Sequence, residues 1–312
     1  MEIKNVTVAG GGVLGSQIAY QSAYKGFDVT VWVRSEASIE RAKPKFERLL
    51  GIYLNTLEAM KTDAQAYCRG LAASPDISVE EIDLLKKRAE EAFASITFTT
   101  SFEEAAGDAD LVIEAIAEDP AQKIDFYGKL AEVMPDKTIL VTNSSTLLPS
   151  MFAEATGRPE QYLALHFANE IWRNNTAEVM GHAGTGAQAY NEVVEFAEAI
   201  GMIPLKLRKE QPGYILNSLL VPFLNSAQAL LANDVADPET IDKTWMLATG
   251  APLGPFRILD IVGLTTAYNI VSMNPQAADP DTTPGKIAAT LKRYIDEGKT
   301  GVNAGEGFYS YK

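Results

Sequence analysis

The stretch Val6-Thr7-Val8-Ala9-Gly10-Gly11-Gly12-Val13-Leu14-Gly15-Ser16 decides the reading of this chain. Its β-branched start predicts a strand, and Gln17-Ile18-Ala19-Tyr20 beyond it predicts a helix. Between them lies G-x-G-x-x-G. Gly10 permits the tight turn, Gly12 lets backbone approach a pyrophosphate, and Gly15 lets helix pack on strand. The pyrophosphate then meets the helix N-terminus, where N–H groups are unpaired. Val13 and Leu14, between the glycines, are counted with them as cofactor-contacting positions. A strand before and a helix after separate a dinucleotide site from a glycine-rich turn.

A second strand reads Asp28-Val29-Thr30-Val31-Trp32-Val33. An acidic residue at such a strand end accepts from the ribose 2′-OH of NAD. Here Val33 stands at that position and Arg34-Ser35 follows, a pair suited to a 2′-phosphate. Glu36, one step on, remains able to serve a ribose. NADP is therefore favoured over NAD, with Arg34 as the discriminating residue.

Further strands are expected at 96–99, 111–116, 138–142, 162–166, 176–180 and 203–207, with helices between them. Leu111-Val112-Ile113 is apolar throughout, as a parallel strand covered on both faces should be. The alternation argues for an α/β fold, a Rossmann-type doubly wound sheet. Residues 35–94 read as a helical insertion. Leu49, Leu50, Tyr53, Leu54 and Leu57 recur at helical spacing, Pro44 is expected to start or kink that helix, and Ser78-x-x-Glu81 predicts a capping box. After Lys206 the texture changes, and Tyr214 to Leu231 is a long apolar helical run. The expected division is 1–207 for dinucleotide binding and 208–312 for an all-helical substrate and dimerisation domain.

Composition narrows the function. In 312 residues the net charge is −14, which disfavours nucleic acid and anionic membranes as partners. No apolar run is long enough to span a bilayer. The one cysteine, Cys68, is read as a packed helical thiol in a reducing compartment, and with no leader pattern a cytoplasmic location is expected. No His/Cys cluster has metal-ligand spacing, so no metal is expected. The apolar helices of the C-terminal part suggest a homodimer.

Of two histidines, His166 ends a predicted strand, where ligands of doubly wound sheets gather. Asn143, Ser144 and Ser145 follow another strand end. Glu178 lies on the next strand and can reach the imidazole. A histidine held by a carboxylate moves protons near neutral pH. His182, in Gly-His-Ala-Gly, reads as loop surface. No nucleophile elbow surrounds Ser144 or Ser145, which argues against a serine hydrolase.

These residues, with Val112-Ile-Glu114-Ala-Ile-Ala-Glu118, Asn143-Ser-Ser-Thr-Leu147, His166-Phe-x-Asn169, Pro212-Gly-Tyr-Ile-Leu-Asn217, Leu253-Gly-Pro-Phe256 and Gly305-Glu-Gly-Phe-Tyr309, resemble the L-3-hydroxyacyl-CoA dehydrogenases over nearly the whole chain. The resemblance implies that His166 transfers the proton, Glu178 orients it, and Ser145 and Asn217 contact substrate. It places Glu118 and Asn143 near the nicotinamide. The implied activity is hydride transfer between NAD(P) and C3 of a short 3-hydroxyacyl-CoA such as 3-hydroxybutyryl-CoA. The polar stretch Asn169-Glu-Ile-Trp-Arg-Asn-Asn175 departs from the family. Arg173 could grip a free carboxylate, and Trp172 could close the acyl pocket. The alternative is therefore a dehydrogenase of a free 3-hydroxy acid or polar alcohol, as for carnitine or gulonate. A nucleotide-binding protein without turnover is the third reading.

Overall fold

The computed structural model describes residues 3–311. The chain separates into two compact units, the first ending at Ile215 and the second beginning at Leu216.

The first unit begins with β1 (Asn5–Ala9), α1 (Val13–Tyr24) and β2 (Asp28–Trp32). Then come α2 (Glu36–Met60), α3 (Val79–Ser95), β3 (Thr97–Thr99) and α4 (Phe102–Ala106). β4 (Leu111–Glu114), α5 (Pro120–Ala131), β5 (Ile139–Thr142) and β6 (Tyr162–Phe167) follow. β7 (Thr176–Gly181), α6 (Ala187–Ala199) and β8 (Ile203–Lys206) complete it. The strands form one sheet in the order β3-β2-β1-β4-β5-β6-β7-β8. All described pairings are parallel except β6 with β7. The central strands β4 and β5 are buried along their whole length, which explains their lack of alternation.

Helix α1 is buried from Gly15 to Tyr24, because the helical insertion covers the face that a lone sheet would leave to water. Tyr20 and Tyr24 meet Tyr53 of α2 edge to face, and their hydroxyls donate to the carbonyls of Ala89 and Leu71. Gln21 donates from Nε2 to the carbonyls of Gly70 and Ile200. The predicted capping box is present, Ser78 accepting from Glu81 N–H and Glu81 accepting from Ser78 N–H. Pro44 does not start α2: the helix begins at Glu36, with Ser35 as its N-cap, and Pro44 lies inside it on the way to Met60. Cys68 is buried as expected but lies outside any helix. Burial pushes its thiol up, and the neighbouring Arg173 opposes that rise.

The sequence reading ended the first domain at 207. In the structure, 208–215 still packs on the first unit, because Tyr214 is buried with Ala164 and Met180.

The second unit holds α7 (Leu216–Ala232), α8 (Pro238–Thr249), α9 (Pro255–Val262), α10 (Leu264–Ser272) and α11 (Thr283–Asp296). Leu224, Phe256, Leu259, Leu264 and Leu291 centre its core. Two buried carboxylates fasten its ends. Asp242 accepts from the N–H groups of Phe256 and Arg257, and Asp260 from those of Phe308 and Tyr309 and from the Tyr311 hydroxyl. A side chain at Gly307 would strike the Asp260 carboxylate, which is why the C-terminal motif needs glycine there. Among the described residues no helix is long and apolar enough to cross a membrane.

Candidate active site

The glycine loop has the shape a dinucleotide requires. A Cβ at Gly10 would strike the Ala115 carbonyl, and one at Gly15 would strike the carbonyl of Gly10. Gly12, by contrast, faces open space. It is the N-cap of α1 and no side chain caps that end, so the first N–H groups of the helix face outward. Beside the loop is a cavity of about 620 Å³ lined by Trp32, Arg34, Ser38, Arg41 and Lys45, among others. Lys45 Nζ donates to the Gly11 carbonyl at 3.1 Å, tying α2 to the loop. Val13 is exposed at the loop, whereas Leu14 packs partly against the core. The residues present fit a nicotinamide dinucleotide.

At the far ends of β4, β5 and β6 lies a polar constellation. His166 and Glu178 are register partners across the antiparallel β6/β7 step. Both are buried, and His166 Nδ1 is 3.1 Å from Glu178 Oε2. Glu178 Oε1 accepts from Ile215 N–H at 2.8 Å. On the other side of the ring, His166 Nε2 is 3.3 Å from Ser145 Oγ. A carboxylate on one ring nitrogen and a hydroxyl at the other is the arrangement of a proton relay. Tyr214 stacks on the imidazole with centroids 4.4 Å apart and planes 13° apart.

Glu118 accepts from Ser144 Oγ at 2.7 Å and from Ser145 N–H at 2.6 Å, so it holds the Ser-Ser turn. Asn143 Oδ1 accepts from Phe167 N–H at 3.0 Å, joining the ends of β5 and β6. Asn217 lies in the first turn of α7, in the second unit. His182 is tied into its own loop: its Nε2 is 3.0 Å from the Pro159 carbonyl and its Nδ1 accepts from Gly184 N–H.

Sequence reasoning missed Lys123. It is fully buried and donates to both oxygens of Glu114 at 2.7 Å. Glu114 also accepts from Tyr127, from Thr142 Oγ1 and from Ile116 N–H. A buried ion pair is sustained only when its remaining lone pairs are satisfied, as here. Lys123 Nζ is also 3.6 Å from Glu118, so this pair abuts the Ser-Ser turn. The only signal was a lysine nine residues after a strand-end glutamate, on the helix that Pro120 opens.

The expectation for Trp172 is overturned. Glu170 and Ile171 donate their N–H groups to Gln17 Oε1, which turns the segment inward. Trp172 is buried in the core against Tyr53, and its carbonyl accepts from Gly70 N–H. A side chain at Gly70 would collide with the Trp172 backbone, so this packing is specific. Trp172 therefore closes no acyl pocket, and Arg173 lies beside Cys68.

The N-terminal model described as "3-hydroxyacyl-CoA dehydrogenase, NAD binding domain" matches residues 5–211, and the C-terminal domain model of the same enzyme matches 213–311. The chain belongs to the 3-hydroxyacyl-CoA dehydrogenase family. It is an oxidoreductase with a nicotinamide cofactor. It is 31% identical to human mitochondrial hydroxyacyl-coenzyme A dehydrogenase over 99% of this chain and 92% of that protein. It is likewise 31% identical to a probable 3-hydroxybutyryl-CoA dehydrogenase of Deinococcus radiodurans, over 97% and 99% of the two chains. Among solved structures, a diketoreductase described as catalysing dicarbonyl compounds is 49% identical over the full length of both chains, with a TM-score of 0.85. The dehydrogenase fold, with its eight-stranded sheet and helical C-terminal domain, is thus the one expected from the sequence.

Proposed function

We propose that the chain interconverts the 3-hydroxy and 3-keto forms of a short acyl-CoA such as 3-hydroxybutyryl-CoA. The observation that carries this is the buried His166–Glu178 pair with Ser145 Oγ at the free ring nitrogen. When bound, the cofactor supplies the hydride acceptor in oxidation and the donor in reduction. His166 takes the proton of the C3 hydroxyl in oxidation and returns it in reduction. Glu178 holds the ring orientation and stabilises its charged form. Ser145 binds the reacting oxygen or the adjacent carbonyl. Glu118 holds the Ser144-Ser145 turn and Asn143 joins the ends of β5 and β6, and these two residues would hold the nicotinamide end of the cofactor.

A second reading is favoured by the relative with 49% identity: reduction of a free dicarbonyl compound. The test is oxidation of reduced cofactor by acetoacetyl-CoA beside free acetoacetate and a small diketone. A much higher kcat/KM for the ester supports the first reading. Activity confined to the free compounds supports the second.

The cofactor proposed is NADP. Arg34, Arg41 and Lys45 line the cavity beside the glycine loop, and Val33 leaves no carboxylate at the strand end. NADPH should therefore exceed NADH in kcat/KM. A homodimer through the second unit is also proposed, supported by the exposure of Leu219, Leu247, Ile261 and Met273. Sedimentation at micromolar concentration tests it. The lone buried Cys68 supports a reducing, cytoplasmic setting.

A further inference from the structure

Residues 211–215 make a short clamp on the dyad. Pro212 and Gly213 occupy the middle of a turn closed by Tyr214 N–H donating to the Gln211 carbonyl at 3.0 Å. Gly213 has φ of 78°, as a type II turn requires. Tyr214 follows with φ of 54°, a left-handed conformation uncommon for a bulky residue. Such a conformation persists only where the surroundings determine it.

The surroundings here are the active site. The Tyr214 ring lies almost flat on the imidazole of His166. Its hydroxyl donates to the Ser144 carbonyl at 2.7 Å, one residue from the serine at His166 Nε2. The next residue, Ile215, donates its N–H to Glu178. Three members of the constellation are thus held by two consecutive residues. The phenol is buried, and burial pushes its titration far above neutrality, so it acts as a neutral donor with an electron-rich face. The other charged groups nearby are Glu178 on β7, Glu118 after β4, and Glu114 on β4 with its partner Lys123 on α5.

We infer that Tyr214 is a positioning residue for proton transfer at His166, an inference that rests on His166 being the proton-transfer group. The ring fixes the imidazole plane, and its face stabilises the positive charge that His166 carries once it has taken the proton. The hydroxyl fixes the turn that presents Ser145.

The experiment compares Tyr214→Phe, Tyr214→Leu and His166→Gln with wild type, as kcat and kcat/KM for oxidation across pH. Tyr214→Phe keeps the face and loses one hydrogen bond, so kcat falls about three- to tenfold with the acid limb unmoved. Tyr214→Leu loses the face. Its kcat falls on the order of 100-fold, and its acid limb moves to lower pH by about half a unit to one unit. Cofactor binding, followed by nicotinamide fluorescence, stays at the wild-type level in both and reports that the first unit is folded. Should Leu disrupt folding, Tyr214→Met replaces it. An acid limb that stays in place in the variant without the face overturns the inference, whether or not kcat is lost. If His166→Gln keeps turnover and the same limb, the premise fails and the inference with it, a result distinct from an unmoved limb with an inactive His166 variant.

Discussion

His166 and Glu178 face each other across the one antiparallel pairing among the described strands, as direct register partners 3.1 Å apart at their side chains. Neighbouring residues of a strand point to opposite faces, so the contact depends on the β6/β7 register. A carboxylate presented this way holds one ring nitrogen and leaves the other for chemistry.

His166→Gln keeps a side chain of similar size and removes the base. Turnover should fall by about 10²–10⁴, with cofactor binding within twofold of wild type. Stopped-flow or steady-state loss of reduced-nicotinamide absorbance measures the first, and fluorescence titration the second. Unchanged turnover would exclude the assigned role.

Arg34 and Arg41 line the cavity beside the glycine loop. Replacing either by Ala should raise KM for NADPH about tenfold, the value of a lost charge-assisted contact, and leave KM for NADH within twofold. Equal effects on both cofactors would mean that these arginines meet a group the two share.

Asp110 ties the start of β1 to the turn before β4. Burial works against its charge, but Lys137 and the N–H groups of Asn5 and Lys4 outweigh it and hold the carboxyl below its ordinary range. Its folded value lies below the unfolded one of about 3.9. The resulting stabilisation is complete above about pH 4 and is lost as pH falls through the folded value. Asp110→Asn should cost about 1–2 kcal/mol at pH 7, with the gap to wild type narrowing in acid. Urea unfolding at pH 7 and pH 3 checks both points.

Asp260 gathers two N–H groups and a phenol at the C-terminal end of the second unit. Asp260→Asn should destabilise by about 2–3 kcal/mol, and Gly307→Ala should act in the same direction through a steric route. Calorimetry that shows neither variant lowered would contradict this account of the motif.

Much of the architecture was legible because it is written in backbone requirements. The glycines at 10, 12 and 15, the apolar β4 and the capping box at Ser78 each follow from local rules. The pairing of His166 with Glu178 was legible because both end up on facing strand positions. What escaped depends on which way a side chain turns. Trp172 reads as a residue that closes the acyl pocket, yet Gln17, 155 positions earlier, draws its segment inward through Glu170 and Ile171. Tyr214 reads as the start of a helix, yet its burial beside His166 keeps it with the first unit. Lys123 drew no reading from the sequence, because only the fold brings Glu114 beneath it. Such long-range choices leave no periodic trace.

An open sheet has two free margins, and each is a template on which a foreign strand can grow. One margin here is β3, only three residues long. The other is β8, Ile203-Pro-Leu-Lys206, with Ile203 and Leu205 exposed. Ile203 donates its N–H to the Asn175 carbonyl just before β7 and Leu207 to the Val179 carbonyl within it, so the alternation aims positions 204 and 206 outward. Position 204 is proline, which has no N–H to offer, and 206 is a charged lysine. The rim of this sheet thus offers one outward donor in place of two, and that one belongs to a charged residue, both of which work against a chain-to-chain ladder. Pro204→Val should keep the fold and shorten its life in concentrated solution.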